Sequence, residues 1–221
     1  MKLIFKHKRP EGNDIWSFAF TPIEPFSWEA GQSIRVEVAG PYGSLEHRFS
    51  VSSAPSSGEV AITTRLNEND YKTSLAALRP GDEADAYGLE GDFTWRRSDL
   101  PHILVAAGIG ITPYHAMLAE RAQQSHPLAA TLIYGSSDNP PVFKDYLDAW
   151  ARKYTEFGVN YISGRVDVVD ILAEQNAMHR TIYVSGPSKM VDTICADLIA
   201  AGVDPVRILT DQFTGRLPTN G

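Results

Sequence analysis

"HILVAAGIGITPYHAML", His102 to Leu118, decides how the chain is divided. His102–Ala107 is a short, nearly unbroken apolar run, the pattern of a strand covered on both faces. Gly108 and Gly110 then permit a tight turn and a close approach of backbone to a ligand. Thr112 suits a helix N-cap, and Pro113 suits the first helical position, where a missing N–H removes no helix bond. The helix N-terminus so formed has unpaired N–H groups and a positive dipole end, which fits a pyrophosphate. Glycine spacing alone fits a structural turn equally well, because the third glycine of the G-x-G-x-x-G fingerprint is replaced by Pro113.

Downstream the same rhythm repeats. "ATLIYG" precedes a helix over Val142–Lys153, "VNYIS" a short helix near Asp167–Gln175, "TIYVSG" a helix over Ser188–Ala201, and "VRILT" closes the series. Short Ile/Val/Leu runs alternating with helices imply a parallel sheet covered on both sides. "VSGPSKM", Val184 to Met190, is a second glycine-bearing turn from strand to helix, so two such turns line one crevice if they meet where the strand order reverses.

Upstream the period is two rather than mixed. Lys2–Lys8, Ile15–Thr21, Ser33–Val38, His47–Ser53, Glu59–Thr64 and Glu83–Tyr87 read as strands between Gly, Pro, Asn and Asp turns, with one helix over Tyr71–Leu78 ended by "RPGD". Six short strands at this spacing imply a small antiparallel barrel or sandwich. Two domains follow, residues 1–98 and residues 99–221, joined near Thr94–Pro101, with no internal repeat.

The composition narrows the function classes. A formal net charge of −7 without a basic run disfavours nucleic acid and anionic membrane as partners. The single cysteine, Cys195, excludes an intramolecular disulfide, a [2Fe–2S] cluster and a CxxC zinc site. It lies beside Ile194 and Leu198 on an apolar helix face and reads as inert core. His7, His102, His115, His126 and His179 show no metal-ligand spacing, so no metal is expected. Redox chemistry must then come from an organic cofactor. The N-terminal segment has no apolar run of signal length and no stretch approaches the length of a membrane span, so the chain reads as a cytoplasmic monomer without membrane insertion.

Four short stretches, taken in order, resemble the ferredoxin–NADP(+) reductase superfamily. "HRFS", His47 to Ser50, resembles its flavin motif R-x-Y-S/T; "LRPGD" its barrel turn; "GIGITP" its G-x-G-x-T-P motif; "SGPSKM" its C-G-P-x-x-M motif. The resemblance implies an all-β plus α/β chain, an antiparallel Greek-key FAD-binding barrel followed by a Rossmann-like parallel-sheet NAD(P)-binding domain. There are departures. His47 and Phe49 replace the arginine and tyrosine, a variant closer to the H-P-F-T of ferric reductases and NADPH oxidases. Ser185 replaces a cysteine, and Lys72 replaces a serine that lies under the flavin pyrophosphate.

The resemblance also implies roles. FAD is expected on three segments: His47, Arg48, Phe49, Ser50, Val51 and Ser52; Ile62, Thr63 and Thr64; and Tyr71, Lys72 and Thr73. Phe49 would pack on the isoalloxazine or ribityl region and Ser50 bond the reactive edge. Alternate residues of a strand face opposite ways, so His47 and Phe49 share one face while Arg48 and Ser50 share the other, and either His47 or Arg48 meets phosphate. NAD(P)H, the co-substrate, is expected at Gly108, Gly110, Thr112, Pro113, Gly186, Pro187 and Met190. Ser136, Ser137 and Asp138 follow the second parallel strand, where an acid favours NADH and Arg165 is the residue able to reverse that. Ser50, Ser185 and Asp211 are the catalytic candidates. Phe213 either covers the flavin or plugs a core, ahead of a polar tail over Arg216–Gly221.

The implied reaction passes a hydride from NAD(P)H to FAD and then electrons to a ferredoxin- or flavodoxin-type carrier protein. Reduction of small acceptors such as ferric chelates or quinones, and a redox-sensing module without turnover, remain open.

Overall fold

The computed structural model describes residues 1–12, 14–66 and 69–213, with Phe213 in its backbone only. The chain forms two compact units. One comprises Met1–Trp95 with Thr112–His126, the other Arg96–Ile111 with the chain from Pro127 onward.

The first unit is a curled six-stranded antiparallel sheet. Its strands are β1 (Lys2–Pro10), β2 (Ile15–Pro22), β3 (Ser33–Gly40), β4 (Gly43–Ser50), β5 (Val60–Arg65) and β6 (Glu83–Glu90), in the order β4-β3-β6-β1-β2-β5. A single bridge between Val51 and Ile62 ties the region after one edge strand to the other edge strand, the start of barrel closure. Period-two patterning produces the core: Leu3, Phe5, Phe18, Phe20, Ile34, Val36, Phe49, Val60 and Ile62 are buried together with Leu75 of helix α1 (Asp70–Ala77). Burying each such large apolar side chain contributes about 1.5–3 kcal/mol.

Helix α1 starts at Asn69, whose side chain accepts a bond from the Lys72 N–H (2.8 Å). The turn after it is stitched to β1 from both sides: the Phe5 N–H donates to the Asp82 carbonyl (2.8 Å) and the Gly81 N–H to the Phe5 carbonyl (2.9 Å). Helix α2 (Thr112–Gln123) belongs to this unit by its contacts, although in sequence it follows the glycine turn of the other.

The second unit is a five-stranded parallel sheet of β7 (His102–Ala107), β8 (Ala130–Ser136), β9 (Phe157–Ser163), β10 (Ile182–Pro187) and β11 (Ile208–Phe213), ordered β11-β10-β7-β8-β9. Helices α3 (Lys144–Lys153), α4 (Val168–Leu172) and α5 (Ser188–Ala200) complete it. The chain runs outward from β7 to β9, then crosses back to β10, so the strand order reverses between β7 and β10. That point is where doubly wound sheets bind nucleotides. Arg180, 5% exposed, anchors the opposite ends of these strands by donating to the carbonyls of Pro101 (2.6 Å) and His102 (2.7 Å).

The expected elements are all present, with ends unchanged or moved by up to four residues. At the decisive stretch a 3-10 turn over Gly108–Ile111 runs directly into α2, so Thr112 is its first residue rather than its cap. The left-handed Gly108 (φ 53°) tightens the entry by that one residue.

Candidate functional site

In the first unit β4 alternates as the sequence requires. His47 and Phe49 lie on one face with their rings stacked (centroids 4.8 Å, planes 27° apart), and the Tyr71 ring of α1 meets both, at 5.7 Å from His47 and 5.8 Å from Phe49. Arg48 is on the other face, where its Nε donates to Ser33 Oγ (2.8 Å) and pairs with Glu90 (3.1 Å). The two cationic candidates are thus separated: His47 joins the aromatic group, and Arg48 is engaged with an acid.

Lys72 completes the group. Its side chain turns inward, 7% exposed, with the ammonium 4.6 Å from the Phe49 ring centre and hydrogen-bonded to Thr64 Oγ1. Among the described residues no carboxylate pairs with it. A threonine hydroxyl and aromatic faces only partly replace water around a charge, so burial pushes the amine down to about 8. His47 is also held below the usual imidazole range, by burial first; the Arg48 carbonyl opposes that shift and the Lys72 charge adds to it. The Tyr71 hydroxyl is buried without a hydrogen-bond partner, and burial raises its pKa. A buried unpaired hydroxyl on the residue next to a cation that has no paired carboxylate among the described residues fits a ligand that brings acceptor oxygens and negative charge.

The remaining flavin-side candidates divide. Ser50 is buried at the end of β4, next to this group in sequence. Val51 and Ile62 are fully buried core residues. Ser52 and Thr63 bond each other (2.8 Å), and Thr63 bonds Ser17 (2.7 Å), which donates to Glu11 (2.7 Å). These hydroxyls therefore close a network inside the sheet. Thr73 is exposed on α1. Thr112 and Pro113 are buried at the start of α2.

His115, which the sequence marked only as unsuited to metal, is half-buried on α2 with its ring Nδ1 2.7 Å from the Ser52 carbonyl oxygen. Burial holds its imidazole down to about 4, and so neutral. No sequence signal points to this contact, because it joins residues 63 apart. A cavity of about 250 Å³ in the same unit, lined by Trp28, Trp95, Met117 and Arg121 among others, shares no residue with the predicted site.

In the second unit backbone replaces side chains. The turns after β7 and β10 meet at the strand-order reversal: a Cβ on Gly110 would strike the Ser185 carbonyl oxygen, its carbon (2.7 Å) and Gly186 Cα (2.8 Å). Gly186 has φ 156°, and a Cβ there would lie 2.6 Å from Met190 Cε. Met190, buried, therefore packs against the turn, while Pro187 is exposed. Tyr134, fully buried on β8, donates its hydroxyl to the Gly108 carbonyl (3.1 Å) and holds the turn from below, a role not foreseen from sequence.

Ser185 is fully buried, yet its Oγ has no hydrogen-bond partner. It pairs in register with Asp211 of β11, also buried. A buried, unpaired hydroxyl at the reversal point suits a ligand group entering there. Ser136 is buried at the end of β8, its Oγ accepting from the Asp138 N–H (3.0 Å), and Asp138 is half-buried. Phe213 stands opposite Pro187 in the β10–β11 register, but its side chain and the tail 214–221 lie outside the described residues. Cys195 packs half-buried against the apolar cluster, and burial, then Asp192, raises its thiol. Among the described residues no helix is long and apolar enough to cross a membrane.

Comparison with known proteins finds the following similarities. The model of the oxidoreductase NAD-binding domain matches residues 104–196. The toluate 1,2-dioxygenase electron transfer component of Pseudomonas putida is 28% identical over 83% of this chain and 58% of its own length. The propane 2-monooxygenase reductase component of Mycolicibacterium goodii is 27% identical over 93% of this chain and 65% of its own. The chain thus spans about 60% of the length of these relatives. In fold it matches the FAD/NAD-binding domain of a Vibrio cholerae nitric oxide dioxygenase (TM-score 0.82, 21% identity, covering 96% of this chain and 98% of that one). It likewise matches a Neisseria gonorrhoeae ferredoxin NADP+ reductase solved with FAD and NADP (TM-score 0.79, 18% identity, 96% and 98% covered). The chain therefore carries an oxidoreductase NAD-binding domain over residues 104–196 and shares its two-part fold with FAD- and NAD(P)-binding reductases.

Proposed function

We propose that the chain is an FAD-dependent NAD(P)H oxidoreductase that hands electrons to a protein carrier. The observation that carries the reading is Lys72, a buried ammonium with no carboxylate paired to it among the described residues, set over the Phe49 ring and 5.8 Å from the centre of the ring of Tyr71, whose hydroxyl is unpaired. A buried charge is stable when a counter-charge arrives, and the flavin's diphosphate supplies one. When bound, the flavin supplies the chemistry: a hydride, one proton with two electrons, passes to it from the nicotinamide and the electrons leave singly.

This chain's residues then have distinct tasks. Lys72 and His47 hold phosphate, and Phe49 and Tyr71 provide the apolar wall. Arg48, engaged with Glu90, stays outside the ligand set. Gly110 and Gly186 keep backbone close to the dinucleotide. Ser185 donates its hydroxyl to the nicotinamide's amide region, Asp211 lies beside it in the strand register as an acid for proton handling, and Ser50 bonds the reactive flavin edge. In this reading residues 1–98 form the flavin domain and 99–221, which include Thr112 and Pro113, the nucleotide domain.

Asp138, held at the end of β8 by Ser136, favours NADH, since a carboxylate accepts ribose hydroxyl bonds and repels a 2′-phosphate. The protein carrier is supported by the names of the relatives, which are electron-transfer and reductase components of oxygenases. Two measurements test the reading. Acid-released cofactor from protein reconstituted with mixed flavins should be FAD, and release of FMN alone contradicts the Lys72 assignment. Turnover with a one-electron carrier protein should fall with ionic strength, as docking between proteins is steered by charge; turnover with small acceptors only, insensitive to salt, contradicts the carrier.

A further inference from the structure

Among the described residues, the side chains around Lys72 include one imidazole and no paired carboxylate. From β4 it faces His47 and the Phe49 ring, from β5 the Thr64 hydroxyl, and on its own helix the Tyr71 ring, while Asp70 points into solvent. The charge on Lys72 is felt by His47, so the two share one electrostatic environment. A lysine in this setting keeps its proton weakly until an anion joins it. We propose, building on the flavin reading above, that flavin capture is proton-linked through Lys72, so that the chain holds its cofactor most tightly near neutrality and loosens it in mild alkali.

The sign follows from linkage. In the free protein burial lowers the amine to about 8. A diphosphate beside the ammonium favours the charged form and raises the value in the complex. Between the lower and the higher value, binding takes up a proton, and affinity falls by up to about tenfold per pH unit as pH rises. Affinity for FAD should therefore be roughly tenfold weaker at pH 9 than at pH 7. His47, held below its ordinary range, titrates on the acid side and leaves this window to Lys72.

The test is calorimetric titration of FAD into the flavin-free full chain between pH 7 and 9.5, in two buffers of different ionisation enthalpy. Lys72→Arg and Lys72→Met serve as comparisons, and riboflavin as a probe without phosphate. The expected result is a wild-type Kd that rises about tenfold by pH 9 with fractional proton uptake. Lys72→Arg should bind with a flat profile, Lys72→Met more weakly and also flat, and riboflavin without pH dependence. A flat wild-type profile, the same slope in Lys72→Arg, or an equal slope for riboflavin overturns the linkage while leaving the flavin reading in place. Failure of FAD to bind any of the three proteins at pH 7 overturns the flavin reading itself, and the linkage with it.

Discussion

The two units present ligands with opposite means. The first uses side chains: a cation, two aromatic rings and an imidazole are gathered on one face of β4 and α1, with no carboxylate paired to the cation among the described residues. The second uses backbone: two turns approach so closely that a Cβ on Gly110 would strike the backbone of Ser185 and Gly186, and one serine hydroxyl is left unpaired between neighbouring strands. A side-chain site is tuned by pKa and tolerates conservative exchange. A backbone site tolerates almost none.

Substitution at Gly110 is the harshest way to probe that difference. In Gly110→Val the added atoms meet backbone that has nothing flexible to yield, so coenzyme binding should fall by about a hundredfold, the upper part of the 1–3 kcal/mol typical of overpacking. FAD content should be retained. Isothermal titration with NADH and flavin absorbance read the two effects separately, and simultaneous loss of both would show that the sites are not separable in this way.

Phe49→Ala strikes the other unit. It removes a buried ring that packs both the sheet core and Tyr71, and should lower stability by about 3–5 kcal/mol in urea unfolding while weakening FAD binding. Unchanged FAD affinity in the folded fraction would mean that Phe49 is core alone.

Acid sharpens the comparison through His115. Its imidazole is neutral in the fold, held down to about 4, whereas an unfolded imidazole takes its proton near its ordinary value. The unfolded chain therefore binds the extra proton, and stability is lost as pH falls from about 6.5 to about 4, by roughly 3 kcal/mol in all. Denaturant midpoints across that range should show the slope in wild type and a reduced slope in His115→Gln. Equal slopes contradict the assignment to this residue.

The smallest effect expected is at Asp138. Asp138→Ser removes the carboxylate near the end of β8 and should move the NADPH-to-NADH ratio of kcat/KM upward by about tenfold or less, one hydrogen-bond equivalent. No change in that ratio would remove Asp138 from coenzyme choice.

What the sequence disclosed follows the same division. Backbone sites are legible because few residues satisfy them: the glycines of "GIGITP" and "SGPSKM" mark positive φ or close approach, and both turns lie where expected. The alternation of β4 also settled which of His47 and Arg48 joins the aromatic face. The burial of Lys72 was not legible, since a lysine between Tyr71 and Thr73 on a short polar helix reads as a surface residue until α1 packs on β4 and β5. Nor were Tyr134 beneath Gly108 and His115 beneath Ser52, whose partners are 26 and 63 residues away. Helix α2 carries a related lesson: the glycine turn assigns it to the second domain by sequence, whereas its contacts group it with the first unit.

The claim that joins the two sites is that a nicotinamide reduces a flavin on this chain. Anaerobic addition of NADH to protein reconstituted with FAD tests it most directly. The account predicts that the oxidised-flavin absorbance bleaches at one NADH per bound FAD and returns when a one-electron acceptor is added. Bound FAD that stays oxidised in excess NADH and in excess NADPH would contradict it.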